Sequence, residues 1–227
     1  IEIDAHAATP LYLVGHDLEK LRFLECDVTN AVHRIRPDGT MAIIGVGGSR
    51  DIQAALLAGH APILGVELND RMLEVLRSDL GRDAGIADNP DVVLVHDEAR
   101  SYIARHRQKY RVIQASLIDT WAATASGGFV LSENGLYTRQ GWQTFLTHLS
   151  DTGVLTMTRW HLADAPAETH RLVSLAAASL AGCQDSRNMA NSRAWKPIPS
   201  ETLSLMASKD TDAHEPILIR TYKKEAE

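Results

Sequence analysis

The chain has 227 residues, a length that suits one α/β domain with a full hydrophobic core. Its formal net charge of −6 and its scattered basic residues argue against a protein that binds nucleic acids or anionic membranes. Two cysteines, Cys26 and Cys183, are too few for a disulfide scaffold, so we expect a reducing compartment.

No apolar run approaches the ~20 residues that a membrane-spanning helix needs, so we expect no direct membrane insertion by this chain. The chain begins with Ile1 rather than Met, which indicates processing or a piece of a longer protein. We therefore expect a cytoplasmic protein, or the soluble part of a membrane-associated one.

The first part of the chain, residues 1–39, is interpreted as an N-terminal appendage. Leu11 to Val14 predicts a strand, and Val28 to Ile35 predicts a helix capped near Asp27 or Thr29. The second part, residues 40–227, is interpreted as one domain, because it contains no repeat or linker that would divide it.

From residue 40 onward, short β-rich runs alternate with amphipathic helices. Five apolar runs predict strands at 41–44, 63–66, 92–95, 112–115 and 154–157. Predicted helices begin near Ser49, Asn69, Ala99, Thr138 and Pro166. Two last runs, 202–206 and 216–222, predict antiparallel edge strands. The alternation predicts a doubly wound, mostly parallel, seven-stranded α/β sheet with helices on both faces.

Capping residues and glycines set the predicted helix ends. We expect the hydroxyl of Ser49 to cap the first of these helices. The second helix should run from Asn69, carry Leu80 on its apolar face and stop at Gly81. The last helix should close at Gly182.

A glycine turn follows the first of the five strands. Gly45, Gly47 and Gly48 permit close approach of a ligand, and the following helix start offers unpaired N–H groups. Glu67 ends the next strand, 22 residues after Gly45, where a carboxylate can accept both hydroxyls of a ribose. The combination predicts a nucleoside-containing cofactor at the carboxyl ends of the strands.

Two carboxylates follow the third strand. Asp97 can accept from an adenine amino group, cap the next helix, or do both. The loop 115–135, after the fourth strand, would present a reacting group, and its small residues can move as a lid. The predicted cofactor-binding residues are Gly45, Val46, Gly47, Gly48, Glu67, Leu68, Asp97 and Glu98.

Several segments together resemble the spermidine synthase family, a branch of the class I S-adenosylmethionine-dependent transferases with a Rossmann-like methyltransferase fold. The segments are Ile43 to Asp51, Gly65 to Glu67, Asp97 to Arg100 and Leu136 to Leu155. The order and spacing of the elements fit that family over residues 40–160. The run 116–125 is most similar to bacterial spermidine synthase-like proteins that are often fused to membrane-spanning segments.

The resemblance implies that the cofactor is S-adenosylmethionine, decarboxylated S-adenosylmethionine or methylthioadenosine. Glu67 would then bind the ribose hydroxyls and Asp97 the adenine, while Gly45 and Gly47 would approach the amino-acid or thioether end. A small-molecule acceptor, such as an amine, and a homodimer are further implications of the resemblance.

The chain departs from the family at two positions. Aminopropyltransferases carry Asp-x-x-Asp after the fourth strand, and here Ser116 occupies the first position while Asp119 keeps the second. Gly48 replaces an Asp of the glycine turn. A neutral serine cannot take a proton from an ammonium at pH 7, which weakens the case for polyamine chemistry but not for cofactor binding. We predict that Asp119 and Ser116 form the catalytic pair, with Asp119 orienting the acceptor.

Three hypotheses stay open at this point. The first is a transferase that uses an S-adenosylmethionine-type cofactor. The second is a non-catalytic nucleoside-binding or sensing domain of a larger, membrane-associated protein. The third, a nicotinamide dehydrogenase, is disfavoured because Arg50 stands where a dinucleotide fingerprint has its third glycine. The dispersed histidines lack metal-ligand spacing, so we expect no metal site.

Overall fold

A six-stranded sheet forms the centre of the fold. The structure, a computed structural model, describes residues 1–3, 7–118, 135–160, 167–184 and 202–208. Two short strands, β1 (Glu2–Ile3) and β2 (Ala7–Ala8), pair with each other. The strands of the main sheet are β3 (Gly39–Ile44), β4 (His60–Glu67), β5 (Val92–His96), β6 (Tyr110–Ser116), β7 (Leu149–Trp160) and β8 (Thr202–Ser208).

Helices flank this sheet. The α-helices are α1 (Val32–Ile35), α2 (Arg50–Leu57), α3 (Asp70–Arg77), α4 (Asp79–Asp83), α5 (Ala99–Arg105), α6 (Arg139–Thr147) and α7 (Ala167–Gln184). Two 3₁₀ segments, Leu18–Cys26 and Val28–Asn30, precede α1. Within the described ranges, no helix has both the length and the apolar character needed to cross a bilayer.

The strand order of the main sheet is β5-β4-β3-β6-β7-β8. The five strands β3 to β7 are parallel, and β8 pairs antiparallel with β7. The parallel α/β architecture is confirmed. The predicted strand at 216–222 lies outside the described residues, so a count of seven strands stays a prediction. The strand order reverses between β3 and β6, which is where ligands bind in open α/β sheets.

Alternate residues of β3 enter two different cores, as the period of a strand requires. Met41 and Ile43 pack with α1, α2 and α3 on one face of the sheet. Ala42 and Ile44 pack with α5, α6 and α7 on the other face. All four side chains are at most 2% exposed. The helices therefore cover both faces, as the alternating sequence pattern predicts.

The N-terminal segment differs from its prediction. The strand predicted at Leu11 to Val14 is wrong: this stretch is not paired in a ladder. Instead, Gln53 Nε2 donates to the carbonyl of Tyr12 at 2.7 Å, and Tyr12 packs against a small cluster that contains Leu21 and Leu24. An apolar run predicts burial, but it cannot say whether a neighbouring strand is available.

The predicted helix from Val28 to Ile35 is split into a 3₁₀ turn and α1. The capping residue is Asp27, whose Oδ1 accepts from Thr29 N at 2.9 Å. Val32 of α1 is fully buried against the main sheet. Part of the segment before residue 40 therefore packs on the sheet, and the division of the chain at residue 39 stays a prediction.

A pair of buried histidines also fixes α1 to the sheet, at the amino ends of the strands. His33 Nδ1 lies 3.1 Å from His60 Nε2, and His60 Nδ1 lies 3.1 Å from the carbonyl oxygen of Gly39. Burial lowers the pKa of His33 to about 3, with a smaller contribution from His60. His33 is therefore neutral in the folded protein at physiological pH.

Of the residues predicted at helix starts, Asn69 and Thr138 cap the helix that follows and Ser49 does not. Asn69 accepts from Arg71 N and Thr138 from Gly141 N, each at 3.0 Å. Ser49 occupies the position before α2, but its hydroxyl makes no capping bond. Its φ of 69° is left-handed, whereas a capping side chain needs an extended backbone at that position.

Two predicted helix ends are also wrong. The helix predicted from Asn69 to Gly81 breaks at Ser78, whose hydroxyl accepts from Leu80 N and starts α4. Leu80 is consequently 47% exposed, and Gly81 lies inside α4. The last helix, α7, continues past Gly182 to Gln184. Local hydrogen bonding by a serine overrides the apolar spacing in the first case.

Candidate functional site

Glu67 lies at the carboxyl end of β4, and the residue is only 9% exposed. Its Oε2 accepts from Gly47 N at 3.0 Å and its Oε1 accepts from Asn69 N at 2.9 Å. These bonds fix the carboxylate between the glycine turn and the start of α3. A carboxylate has about four acceptor positions, so two remain for hydroxyl groups of a ligand.

The glycine turn is packed under other parts of the same chain. Gly45 has a φ of 73°, and a Cβ there would lie 2.4 Å from Ile118 Cγ2. A Cβ at Gly48 would lie 2.1 Å from the carbonyl oxygen of Pro10. Gly48 N donates to Thr9 Oγ1 at 2.8 Å. The close approach that these two glycines permit is therefore an approach of the protein itself.

The two apolar residues of the predicted site have different surroundings. Val46 is 4% exposed and packs in the core, so only its backbone is available to a ligand. Leu68 is 36% exposed beside Glu67, and its carbonyl lies 3.0 Å from His96 Nε2. Leu68 thus offers an apolar surface next to the buried carboxylate.

Asp97 is the immediate neighbour of Glu67 across the sheet edge, since Asp97 N donates to the Glu67 carbonyl at 3.1 Å. Its Oδ1 accepts from Glu98 N at 2.8 Å, and its Oδ2 is paired with Arg105. Glu98 caps α5 by accepting from the backbone N–H groups of residues 100 and 101, each at 2.9 Å. Glu98 is therefore the cap of α5, and Asp97 follows β5 beside the end of β4, where Glu67 lies.

Arg50 occupies the position of the third glycine of a dinucleotide fingerprint. Its guanidinium lies 3.2 Å from a carboxylate oxygen of Asp27 and 3.6 Å from one of Asp51, and it donates to the hydroxyl of Thr29. Arg50 therefore joins α2 to the segment that precedes α1, a role that a glycine could not perform.

Asp51 is a residue of this edge that the sequence analysis missed. Its side chain is 9% exposed and lies near the side chains of Ser116 and Gln114. Burial raises the pKa of the Asp51 carboxyl, and Arg50 beside it offsets part of this rise. Its position on the helix face of buried Ala55 was the available signal, because residues four apart share a face.

Ser116, one of the two predicted catalytic residues, ends β6 next to the glycine turn. Its hydroxyl accepts from Gln114 Nε2 at 2.8 Å, and its side chain is partly exposed. The other predicted catalytic residue, Asp119, lies outside the described residues. The structure therefore brings Ser116 together with Asp51 and says nothing of a pair with Asp119.

Comparison with known proteins gives likeness of fold only. No protein-family model matches the chain, and no curated protein matches it. A spermidine synthase in complex with the transition-state analogue AdoDATO is 16% identical, with a TM-score of 0.53, over 91% of this chain and 68% of that one. Spermidine synthase from Thermotoga maritima is also 16% identical, with a TM-score of 0.54, over 88% of this chain and 67% of that one.

A precorrin-6Y C5,15-methyltransferase from Geobacter metallireducens GS-15 is 18% identical, with a TM-score of 0.48, over 78% of each chain. At these identities the comparisons establish architecture and no more. The chain has the Rossmann-like α/β fold found in spermidine synthase.

Proposed function

We propose that the chain binds an S-adenosylmethionine-type cofactor at the carboxyl edge of β3, β4 and β5 and transfers an alkyl group from it to a small-molecule acceptor. The observation that carries the proposal is the placement of Glu67 and Asp97 on adjoining strand ends, joined by the bond from Asp97 N to the Glu67 carbonyl at 3.1 Å. Carboxylates that follow two adjoining strand ends suit a ligand with donors at both ends, as adenosine has.

The donor and acceptor groups at this edge fit adenosine. Glu67 would accept from the ribose hydroxyls with the two acceptor positions that Gly47 and Asn69 leave unused. Asp97 would accept from the adenine amino group, and Leu68 would cover an apolar face of the nucleoside. The N–H groups of Gly47 and Gly48 already have partners, so we assign them no ligand.

The cofactor would supply an electrophilic carbon bonded to a positively charged sulfur. The chain's own part is to orient that carbon towards the acceptor and to exclude water, which can supply much of the rate enhancement of a displacement. The acceptor would enter beside Ser116, because β6 lies next to β3 at the point where strand order reverses.

The proposal is tested by calorimetry with three ligands: S-adenosylmethionine, methylthioadenosine and NAD. We expect the two sulfur nucleosides to bind and NAD to bind at least tenfold more weakly, because Arg50 replaces the third glycine of a dinucleotide fingerprint, which allows close packing of the helix on the strand. Equal or tighter binding of NAD would contradict the proposal. A non-catalytic nucleoside-binding domain would share the binding result, and failure to form product with any amine acceptor would favour it.

A further inference from the structure

We propose that Thr9 and Pro10 are an internal occupant of the glycine turn, and that a nucleoside with an amino-acid tail on its sulfur has to displace them in order to bind. This inference rests on the proposed function, which places an adenosine thioether at the carboxyl edge of the sheet. The two residues are called the cover below.

The strand order sets the direction in which such a tail would point. The sheet runs from β5 through β4 to β3 and then to β6. With the adenine at Asp97, after β5, and the ribose at Glu67, on β4, the sulfur of the ligand would come to the end of β3. This strand ends at Ile44, and the glycine turn follows it directly. The tail would therefore meet the turn that the cover occupies.

The cover holds a backbone N–H group that a carboxylate on the tail would need. Gly48 N donates to Thr9 Oγ1 at 2.8 Å. The carbonyl oxygen of Pro10 is so close that a Cβ at Gly48 would lie 2.1 Å from it. The neighbouring donor, Gly47 N, is held by Glu67 Oε2 at 3.0 Å. The chain itself therefore satisfies both of these donors.

The oxygen atoms beside the turn disfavour an anion. The carboxylate of Glu67 contacts Gly47, and the carbonyl of Pro10 lies against Gly48. A carboxylate that entered without displacing the cover would lose hydration near these oxygens and gain no donor in return. A short neutral tail, such as the methyl group of methylthioadenosine, carries no such cost. The covered protein should therefore distinguish nucleosides by their tails.

The segment that follows the cover is anchored away from the glycine turn. Gln53 Nε2 donates to the carbonyl of Tyr12 at 2.7 Å, and Gly15 N donates to the carbonyl of Asp83 at 2.6 Å. These bonds do not involve the cover, so they can persist when it moves. Displacement of the cover therefore does not require the N-terminal segment to unfold.

The exchange itself replaces one hydrogen bond of the turn by another. Pro10 is exposed and Thr9 is partly exposed, so both can move towards solvent. Departure of Thr9 Oγ1 would free the N–H group of Gly48, which is buried. A carboxylate oxygen of the tail could then accept from this group in a charge-assisted hydrogen bond. Thr9 thus competes with the tail for one donor.

The test is calorimetry with methylthioadenosine and S-adenosylhomocysteine, two uncharged thioethers of adenosine that differ in the tail on sulfur. We expect the original protein to bind S-adenosylhomocysteine about fivefold or more weakly than methylthioadenosine. Thr9→Val keeps the shape of the side chain and removes the oxygen that accepts from Gly48 N. In this variant the affinity for S-adenosylhomocysteine should rise about three- to tenfold, because a buried donor is left for its carboxylate, and the affinity for methylthioadenosine should not change.

Thr40→Val is the matched control. Thr40 Oγ1 also accepts from a backbone N–H group, that of Arg111, at 3.3 Å. It lies near the amino end of β3, at the opposite edge of the sheet from the glycine turn. We expect Thr40→Val to bind both nucleosides as the original protein does. A gain for S-adenosylhomocysteine in Thr40→Val equal to that in Thr9→Val would overturn the inference.

Methylthioadenosine binding separates failure of the proposed function from failure of this inference. If the original protein binds neither thioether, the proposed function itself is overturned. If it binds methylthioadenosine and S-adenosylhomocysteine equally well, only the role of the cover is overturned. The same conclusion follows if Thr9→Val binds methylthioadenosine normally and gains no affinity for S-adenosylhomocysteine.

A second readout uses the original protein and needs no variant. In an NMR titration, saturating S-adenosylhomocysteine should shift the backbone amide resonance of Thr9, because the tail displaces this residue from Gly48. Saturating methylthioadenosine should leave the Thr9 resonance in place, and the Gly15 resonance should stay in place with both ligands, since its anchor persists. A Thr9 resonance that responds equally to the two ligands, or to neither, would contradict displacement by the tail.

Discussion

The carboxyl edge of the sheet acquires its acidic groups in two different ways. On the side of β4 and β5, Glu67 ends a strand and Asp97 follows one, so each carboxylate is delivered by the element that precedes it. At the end of β6 the strand delivers Ser116, and the carboxylate comes from Asp51 on α2. A short sequence motif can therefore describe the acidic groups at the ends of β4 and β5. The acidic group near the end of β6 is found only from the packing of α2 against β6.

The largest expected effect concerns residues 9 and 10, which cover the glycine turn beside Glu67. In Gly48→Ala the new Cβ would meet the Pro10 carbonyl, which the structure places 2.1 Å away. We expect a loss of ~1–3 kcal/mol in the free energy of unfolding, measured by urea denaturation. Gly135→Ala is the control, because its Cβ would lie 3.9 Å from Arg100 Cζ, the nearest atom of the described residues. Equal stability of the two variants would show that residues 9 and 10 do not cover the turn.

Asp97→Ala tests the proposed adenine contact at the ends of β4 and β5. We expect methylthioadenosine to bind about tenfold more weakly by calorimetry, because a hydrogen bond to a charged acceptor is lost. Arg105→Ala removes only the ion pair that orients Asp97, and the loss should be less than threefold. A larger loss in Arg105→Ala than in Asp97→Ala would mean that Asp97 is a structural partner of Arg105 rather than a ligand group.

The opposite edge of the sheet supplies a pH effect that should leave ligand binding alone. The pKa of His33 is lowered to about 3, so the unfolded chain binds the additional proton as pH falls below 6.5. Stability should therefore fall by ~1.4 kcal/mol between pH 7.5 and pH 5.5. In urea denaturation, His33→Gln should lose this part of the pH dependence, and His16→Gln should retain it. An unchanged dependence in His33→Gln would contradict the role of burial.

Asp51 should affect the pH dependence of stability in the opposite sense to His33, and its effect should be the smallest of the four. Because burial raises the pKa of Asp51 in the folded state, the contribution of this residue to stability is present at low pH and is lost as pH rises through the folded pKa. Asp51→Asn should thus raise Tm at pH 7.5, by ~2–4 °C for each kcal/mol gained, and the gain should vanish at pH 3. A Tm lowered at pH 7.5 would show that the carboxylate stabilises the fold.

The sequence predicts the parts of the structure that depend on neighbouring residues. The strands β3 to β7, the helix α5 at Ala99–Arg105 and the caps Asn69 and Thr138 all follow from local apolar spacing and capping chemistry. The break at Ser78 was not predictable in this way, because a single hydrogen bond from the backbone to the Ser78 hydroxyl ends α3 and starts α4.

The same distinction between neighbouring and distant residues applies to the candidate site. Glu67 and Asp97 could be located from the sequence because strand ends are readable from composition. The position of Asp51 near Ser116 could not, since the two residues are 65 positions apart along the chain. Arg50 was noted only as a missing glycine, and its ion pair with Asp27 required the folded position of a distant segment.

The most direct test of the account is calorimetry of methylthioadenosine binding to Glu67→Ala, with Glu74→Ala on the exposed side of α3 as the matched control. We expect at least a tenfold loss of affinity in Glu67→Ala, because the carboxylate that accepts from the ribose is removed, and no loss in Glu74→Ala. Equal affinity of the two variants would contradict the claim that this edge of the sheet binds a nucleoside.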